Sequence, residues 1–310
     1  MTKFFMNIQN LQLTNSENED LEIMPGLRIT NDKNIIKSII TSDLIEIIGY
    51  IEYNSLINAQ TIIYYNYTKE DLETFHTDNQ LIILNLILIW IDDVLKNIWL
   101  YSDNCISCDT AFLVNEFQAN SLRFSYNLYS SDNNFFNLTL NKTELNKVIT
   151  DHNAIETYFH SKDSSLTFSM LEKNFSRIAR SLIFIKQARE ARNTAYKIAN
   201  YCSALETIFS TDSTELTHKL SERVSFFLKN EFPKIDTFKT LKTAYGIRSK
   251  LIHGDILNNK QIDEINTISK KTDDILRLSM NKIIWNEELR NIFDSKNEII
   301  EKYFEELIFN

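Results

Sequence analysis

The chain has 310 residues, of which 43% are hydrophobic and 24% are charged, a composition typical of a globular protein with a substantial core. Its 4 glycines and 2 prolines fall far below average usage of about 7% and 5%, which excludes the Gly-rich phosphate loops of Rossmann and P-loop proteins. The formal charge of −9 is uneven. Residues 1–169 carry 10 basic and 22 acidic residues, hence −12, whereas residues 170–310 carry 23 and 20, hence +3. We therefore predict two domains, 1–165 and 166–310, divided near the polar segment Ser161–Ser165.

The N-terminal domain is predicted to be mixed α/β. Runs rich in β-branched and aromatic residues indicate strands at Thr61–Tyr67, Leu122–Tyr129 and Phe135–Leu140. The last two are predicted to form a hairpin through the turn-like segment Ser130–Asn134.

Two helices are expected in the same domain, over Asp78–Trp99 and from Thr143 to about Phe159. The most apolar part of the first, Leu81–Ile91, is much shorter than the roughly 20 residues that a membrane-spanning helix needs. The N-terminus also lacks the layout of a signal peptide. We therefore expect a cytoplasmic protein with no membrane partner.

The C-terminal domain is predicted to be an all-α bundle, which makes the whole chain α+β. Its apolar residues recur at helical spacing, and scarce glycine and proline favour long helices. The predicted helices are Leu171–Phe209 as one or two segments, Thr211–Phe232 ended by Pro233, Asp236–His253 ended by Gly254, Asn258–Asn286, and Asp294–Phe309.

The three cysteines do not indicate a metal centre. Cys105 and Cys108 have a zinc-like spacing, but no second cysteine pair or nearby histidine completes a set of four ligands. Buried thiols in a reducing compartment are the favoured alternative to a metal site. The sequence predicts neither a metal nor an organic cofactor.

Arg248 and His253 are the residues best suited to catalysis. Histidine transfers protons near neutral pH, and the planar guanidinium of arginine matches phosphate oxygens. A spacing of five residues places them about 140° apart on a helix, so they converge only if the backbone departs from helical geometry at Gly254. Chance alone produces this spacing often, and a histidine before a glycine is also an ordinary helix end.

Three segments in order carry a family resemblance: Cys202-Ser-Ala-Leu-Glu-Thr-Ile-Phe209, Glu215-Leu-Thr-His-Lys-Leu-Ser-Glu-Arg-Val224 and Tyr245-Gly-Ile-Arg-Ser-Lys-Leu-Ile-His-Gly254. Over about residues 170–290 the chain resembles the Apea-like HEPN domains, a helical family of ribonucleases from bacterial anti-phage and abortive-infection systems. The resemblance implies metal-independent RNA cleavage that leaves a 2′,3′-cyclic phosphate, with Arg248 and His253 as catalytic residues. It also implies a homodimer or higher oligomer in which both motifs line one cleft.

The resemblance and the helical spacing assign supporting roles to three further residues. Ser249 falls where such domains often carry a polar residue. Glu206 orients Arg248 or His253, or else forms a purely structural salt bridge. Tyr245 lies one turn before Arg248, where it contacts RNA or packs in the core.

A basic series in the C-terminal domain predicts an RNA-binding face. It runs Lys173, Arg177, Arg180, Lys186, Arg189, Arg192 and Lys197, opposed only by Glu172 and Glu190. The RNA-binding residues expected are Arg177, Arg180, Arg189, Arg192 and Lys250. A solvated face or a dimer interface is the alternative for the series.

The leading interpretation is an endoribonuclease of anti-phage defence, acting on RNA such as tRNA. The acidic N-terminal domain would then sense a phage-encoded or host trigger. Two alternatives stay open: a non-catalytic HEPN module that binds RNA, nucleotide or protein, and the toxin of a toxin–antitoxin pair.

Overall fold

A computed structural model describes residues 2–14, 20–115, 118–161, 175–212, 214 and 216–309. The chain is α+β and forms two compact units. The first comprises Met1–Leu128 and Phe135–Asn153, and the second comprises Tyr129–Asn134 and Ala154–Asn310. The predicted boundary between residues 165 and 166 lies outside the described residues.

The first unit is built on an antiparallel six-stranded sheet with strand order β3-β4-β5-β1-β6-β7. A separate pair, β2 and β8, runs parallel. The strands are β1 (Thr2–Gln9), β2 (Leu11–Leu13), β3 (Asp20–Met24), β4 (Leu27–Thr30), β5 (Thr61–Tyr67), β6 (Ser107–Val114), β7 (Ala119–Asn127) and β8 (Leu138–Leu140).

A hydrophobic core covers each face of the sheet. Successive strand residues point to opposite sides, so neighbours along one strand join different cores. Phe4 and Met6 of β1 join a core with the long helix α5, while Phe5 joins a second core with α1–α3. The helices are α1 (Lys33–Ile39), α2 (Leu44–Ile48), α3 (Tyr50–Ile57), α4 (Lys69–Glu73), α5 (Gln80–Tyr101) and α6 (Lys142–Ser161), the last of which extends into the second unit.

The predicted strand Thr61–Tyr67 is confirmed as β5, and the predicted helices of this part are confirmed as α5 and α6. The predicted hairpin is wrong. Strand β7 pairs with β6, and β8 pairs in parallel with β2. The intervening Ser130–Asn134 therefore does not join two paired strands. Its polar groups form hydrogen bonds with helices of the second unit.

The described residues of the second unit contain helices and connecting segments only. Besides the end of α6, they are α7 (Arg177–Glu190), α8 (Thr194–Phe209), α9 (Leu216–Phe227), α10 (Lys234–His253), α11 (Asn259–Ile284), α12 (Glu287–Phe293) and α13 (Asn297–Phe309). The buried ring of Phe209 on α8 packs edge to face against Phe227 of α9 and Phe293 of α12, and at a tilt against Phe304 of α13.

Most predicted helices of this unit are confirmed with shifted ends. The helix expected to reach Phe232 stops at Phe227. Helix α10 begins at Lys234, two residues earlier than predicted, with Pro233 as its N-cap. The final predicted helix, Asp294–Phe309, is confirmed as α13, which begins at Asn297, whereas the short helix α12 was not predicted. Residues 171–174 of the first predicted segment lie outside the described part.

The buried cation of Lys197 and the backbone carbonyl of Arg189 hold Tyr129–Asn134 against the helices. Lys197 of α8 is fully buried, and its Nζ donates to the carbonyls of Tyr129 and Ser130 at 3.0 and 2.7 Å. The backbone N–H of Tyr129 donates to the carbonyl of Arg189 at 2.8 Å. A lysine in this setting satisfies carbonyl groups that no water reaches.

Replacing Lys197 with methionine is expected to destabilise the protein, since two buried carbonyls would lose their donor. The expected loss is about 2–3 kcal/mol in the free energy of unfolding. Urea unfolding followed by circular dichroism measures it. Lys186→Met removes a lysine with a loose ion pair at the surface of α7 and should change the same quantity by less than about 0.5 kcal/mol. Equal effects of the two substitutions would refute the anchoring role of Lys197.

Candidate functional site

Helix α10 carries both candidate catalytic residues and stays regular through His253. Gly254 adopts a left-handed conformation with φ of 73°, which favours glycine. The N–H of Asp255 donates to the carbonyl of Lys250 at 2.8 Å, and that of Gly254 to Leu251 at 3.3 Å. This pair of bonds is the Schellman motif that closes helices.

The departure from helical geometry that would let Arg248 and His253 converge within one chain does not occur before Gly254. Because His253 is still helical, the five-residue spacing keeps its geometry of about 140° of rotation and about 7.5 Å of rise. Arg248 is half-buried and lies toward α8, whereas His253 is exposed. Among the described residues, no hydrogen bond or ion pair joins the two.

Arg248 is positioned by Glu206 of α8. Its Nη2 lies 3.3 Å from the Glu206 carboxylate, and the two side chains are only 26% and 21% exposed. The guanidinium lies 5.8 Å from the ring centre of Tyr245. Tyr245 is buried, and its hydroxyl donates to the carbonyl of Cys202 at 3.2 Å. The two readings left open for Tyr245 are thus resolved toward core packing beneath the arginine.

Burial dominates the electrostatics of this group. Desolvation raises the pKa of Glu206, and the nearby Arg248 charge and Tyr245 hydroxyl only partly oppose it. Burial likewise raises the pKa of Tyr245. The Nε of Arg248 is buried without a hydrogen-bond partner among the described residues. This donor is enclosed by the protein, so the contact with Glu206 leaves part of the guanidinium's hydrogen-bonding capacity unsatisfied.

His253 and Ser249 are exposed on the solvent side of α10. No hydrogen bond to either side chain occurs among the described residues. Lys250, predicted to bind RNA, has an internal role instead. Its Nζ donates to the carbonyl of Ile256 at 3.2 Å and to Gln261 Oε1 at 2.8 Å, which ties the loop after α10 to the first turn of α11.

The predicted RNA-binding series does not form one exposed face. Arg177 donates to the carbonyls of Thr207 and Ser210 at 3.0 and 2.8 Å, and desolvation lowers its pKa. Arg180 is half-buried, and its Nη2 lies 3.4 Å from the carbonyl of Phe175.

Arg189 corrects the prediction most clearly, because it is 1% exposed and cannot reach a bound RNA. It lies 3.9 Å from the buried Asp273, which also accepts a hydrogen bond from Tyr201 at 2.7 Å. Arg192, in the turn between α7 and α8, is exposed as expected. Lys173 lies outside the described residues.

Sequence reasoning missed two exposed lysines of α10, Lys239 and Lys242. Their signal was available in the helical spacing, since both fall on the same side of α10 as Ser249 and His253. The basic series around α7 contains more charges and gives the stronger sequence pattern.

Among the described residues, no group of three or more His, Cys, Asp or Glu side chains is arranged to hold a metal ion. No helix in the described part of the chain is long and apolar enough to cross a membrane. Cys105, Cys108 and Cys202 are buried thiols. Comparison of the chain with protein-family models, curated proteins and solved structures finds no match.

Substitution Glu206→Gln is expected to change how stability depends on pH. A raised pKa means that the folded chain binds this proton more tightly than the unfolded chain does. Stability should therefore fall as pH rises from the ordinary glutamate pKa, about 4.3, through the raised value. Wild type should lose stability over that interval relative to Glu206→Gln in urea unfolding across a pH series.

Glu305→Gln, at an exposed position of α13, controls for the loss of one negative charge. If the curves of wild type and Glu206→Gln run parallel through the interval, burial does not govern the titration of Glu206.

Proposed function

We propose that the chain is a metal-independent endoribonuclease of the HEPN type, with Arg248 and His253 as catalytic residues. The observation that supports this best is the arrangement along α10: a half-buried arginine positioned by Glu206, and an exposed histidine at the end of the same helix. The family resemblance is supplied by the RxxxxH motif, here Arg248 to His253, and by the two segments that precede it.

The chemistry follows from the two side chains. The 2′-oxygen of a ribose attacks the adjacent phosphorus, and the bond from phosphorus to the 5′-oxygen breaks, leaving a 2′,3′-cyclic phosphate and a 5′-hydroxyl. His253 moves a proton from the attacking hydroxyl or to the leaving oxygen. Arg248 stabilises the charge that develops on the non-bridging oxygens.

A complete site requires two protomers. Within one chain the two side chains diverge by about 140°, so one motif does not surround a phosphate alone. A two-fold dimer that apposes the ends of two α10 helices would bring Arg248 of one protomer beside the partner's His253. This is the arrangement that the family resemblance implies.

We further propose that the N-terminal unit regulates this activity in anti-phage defence. The acidic excess of residues 1–169, with a formal charge of −12, suits competition with RNA for basic residues or recognition of a basic trigger.

Arg248→Ala and His253→Ala are each expected to lower RNA cleavage by at least about 100-fold, since each removes one catalytic function. The assay is cleavage of total RNA in EDTA, with end-group analysis for the cyclic phosphate. Arg123→Ala and His76→Asn, both at exposed positions of the first unit, are matched controls. Cleavage that persists in both α10 variants would refute the site, and cleavage lost in EDTA would refute the metal-independent mechanism.

Dimerisation of the site is tested by mixing wild type with a ninefold excess of the Arg248→Ala/His253→Ala double variant. Random pairing leaves about one wild-type chain in ten with a wild-type partner. Activity per wild-type chain should therefore fall about tenfold after subunit exchange. Unchanged activity per wild-type chain would mean that the site is complete within one protomer.

A further inference from the structure

Gly246 occupies the middle of α10 without an internal reason. Its φ is not in the left-handed region, and a Cβ built on it would meet no atom within 4 Å. Glycine in a helix interior is about 0.8–1 kcal/mol less favourable than alanine. The chain contains only 4 glycines, so this unfavourable choice is conspicuous. Among the described residues nothing needs the space that the missing side chain leaves open.

Gly246 lies within an exposed line of residues along α10. At about 100° per residue, five positions fall within about 80° of the helix circumference and extend over about 21 Å. We call this line the α10 ridge; it comprises Lys239, Lys242, Gly246, Ser249 and His253. Gly246 is half-exposed and the other four are exposed.

The two lysines of the ridge make no ion pair with an acidic side chain among the described residues. Nζ of Lys242 lies 5.5 Å from the ring centre of Phe238, and His218 of α9 meets the same ring edge to face at 5.4 Å. Cations beside accessible aromatic rings are the combination that binds single-stranded nucleic acid, because phosphates pair with the charges and bases stack on the rings. Asp236 lies one turn before Lys239, so the positive charge of the ridge does not continue toward the start of α10.

A groove lies beside the ridge, between α10 and α11, with a volume of about 410 Å³. Lys239 and Lys271 line it together with Asp236 and Asp274, so its charged side chains balance. Thr240 and Ile275 form part of its wall and are almost fully buried. The positive charge available to RNA is therefore that of Lys239 and Lys242 on the ridge itself. By contrast, Arg177, Arg189 and Lys197 of α7 and α8 form ion pairs or hydrogen bonds inside the bundle.

We propose that the α10 ridge is the track along which a single-stranded segment of RNA reaches His253. Lys239 and Lys242 bind its phosphates, and the Phe238–His218 pair stacks with a base. Gly246 lets the sugar-phosphate backbone approach the helix more closely than any side chain would allow. This inference rests on the proposed nuclease function, since it assigns the path of that enzyme's substrate.

The geometry separates binding from chemistry. Lys242 lies about 16 Å from His253 along the helix axis, so it contacts nucleotides remote from the cleaved bond. Its loss should raise KM and leave kcat nearly unchanged. A dinucleotide substrate is too short to reach Lys242, and its cleavage should not respond to the substitution.

The test uses the full-length chain and a fluorescein-labelled single-stranded RNA of about 12 nucleotides, a length within the range that such surfaces bind. Affinity is measured by anisotropy on a His253→Ala background, so that binding is scored without cleavage. Lys239→Ala/Lys242→Ala should weaken binding about tenfold and reduce the salt dependence of log K by about 1.4, or about 0.7 for each phosphate contact. Lys302→Ala on α13, at a side chain 77% exposed, is the matched control.

Gly246→Ala gives the sharpest result because its two effects have opposite signs. Alanine should raise the unfolding temperature, since it favours the helix and meets no neighbour, yet it should weaken RNA binding. Gly246→Leu should weaken binding further. Unchanged RNA affinity in the lysine and glycine variants would overturn the inference.

A second copy of the chain is the competing occupant of the ridge. If Gly246→Leu abolishes the dimer in sedimentation while the lysine variants bind RNA normally, the ridge is a protein interface and the inference fails. Failure of the nuclease proposal is distinct: RNA binding would then follow the ridge variants as expected, while Arg248→Ala and His253→Ala cleave RNA like wild type.

Discussion

The left-handed turn at Gly254 determines what α10 can do. Two hydrogen bonds from Gly254 and Asp255 close the helix immediately after His253. Lys250 ties the following loop to α11 through two hydrogen bonds. Unwinding the end of α10 would break these bonds. Because the helix is regular to its last residue, the angular relation between Arg248 and His253 follows from helix geometry alone. Two consequences follow: one chain presents only part of the proposed phosphate site, and His253 lies on the exposed α10 ridge and not beside Arg248.

Positive charge in the second unit divides into internal and external sets. Arg189 and Lys197 are buried, and they stabilise a buried carboxylate and a segment contributed from between β7 and β8. Arg177 binds the carbonyl end of α8, where a cation also interacts favourably with the helix dipole. These residues confer order on the bundle. Lys239 and Lys242 form no ion pair within the described part of the chain, so they are the better candidates for the proposed contact with RNA.

The sequence predicted the helices well because their boundaries are encoded locally. Gly254 marks the end of α10, and Asn258 begins α11 by bonding the N–H of Gln261. The long apolar run that forms α5 was equally clear. Strand pairing was not predictable, since Leu138–Leu140 pairs with Leu11–Leu13, more than a hundred residues away. Turn-like composition between two β-rich runs suggested a hairpin, but long-range hydrogen bonds decided the pairing.

The candidate site was predictable in identity but not in orientation. Motif spacing singled out Arg248, His253 and Glu206, and the contact between Arg248 and Glu206 needs only the packing of α8 against α10. For the basic series, spacing shows which residues share a helix face without showing which face the bundle buries. Arg189 illustrates this, since its partner Asp273 lies on α11 and no local pattern connects them.

Glu206 holds Arg248 weakly enough for a substrate to compete. Its carboxylate is taken from water, and the rise of its pKa shows that the single ion pair does not offset the desolvation of the charge. The contact is at 3.3 Å, longer than the 2.7–2.9 Å of strong charge-assisted hydrogen bonds. A phosphodiester carries one negative charge, as an ionised carboxylate does, but its two non-bridging oxygens can bind a guanidinium through two parallel hydrogen bonds. In the proposed nuclease, Glu206 is therefore suited to orient Arg248 and to release its Nη donors to a bound phosphate.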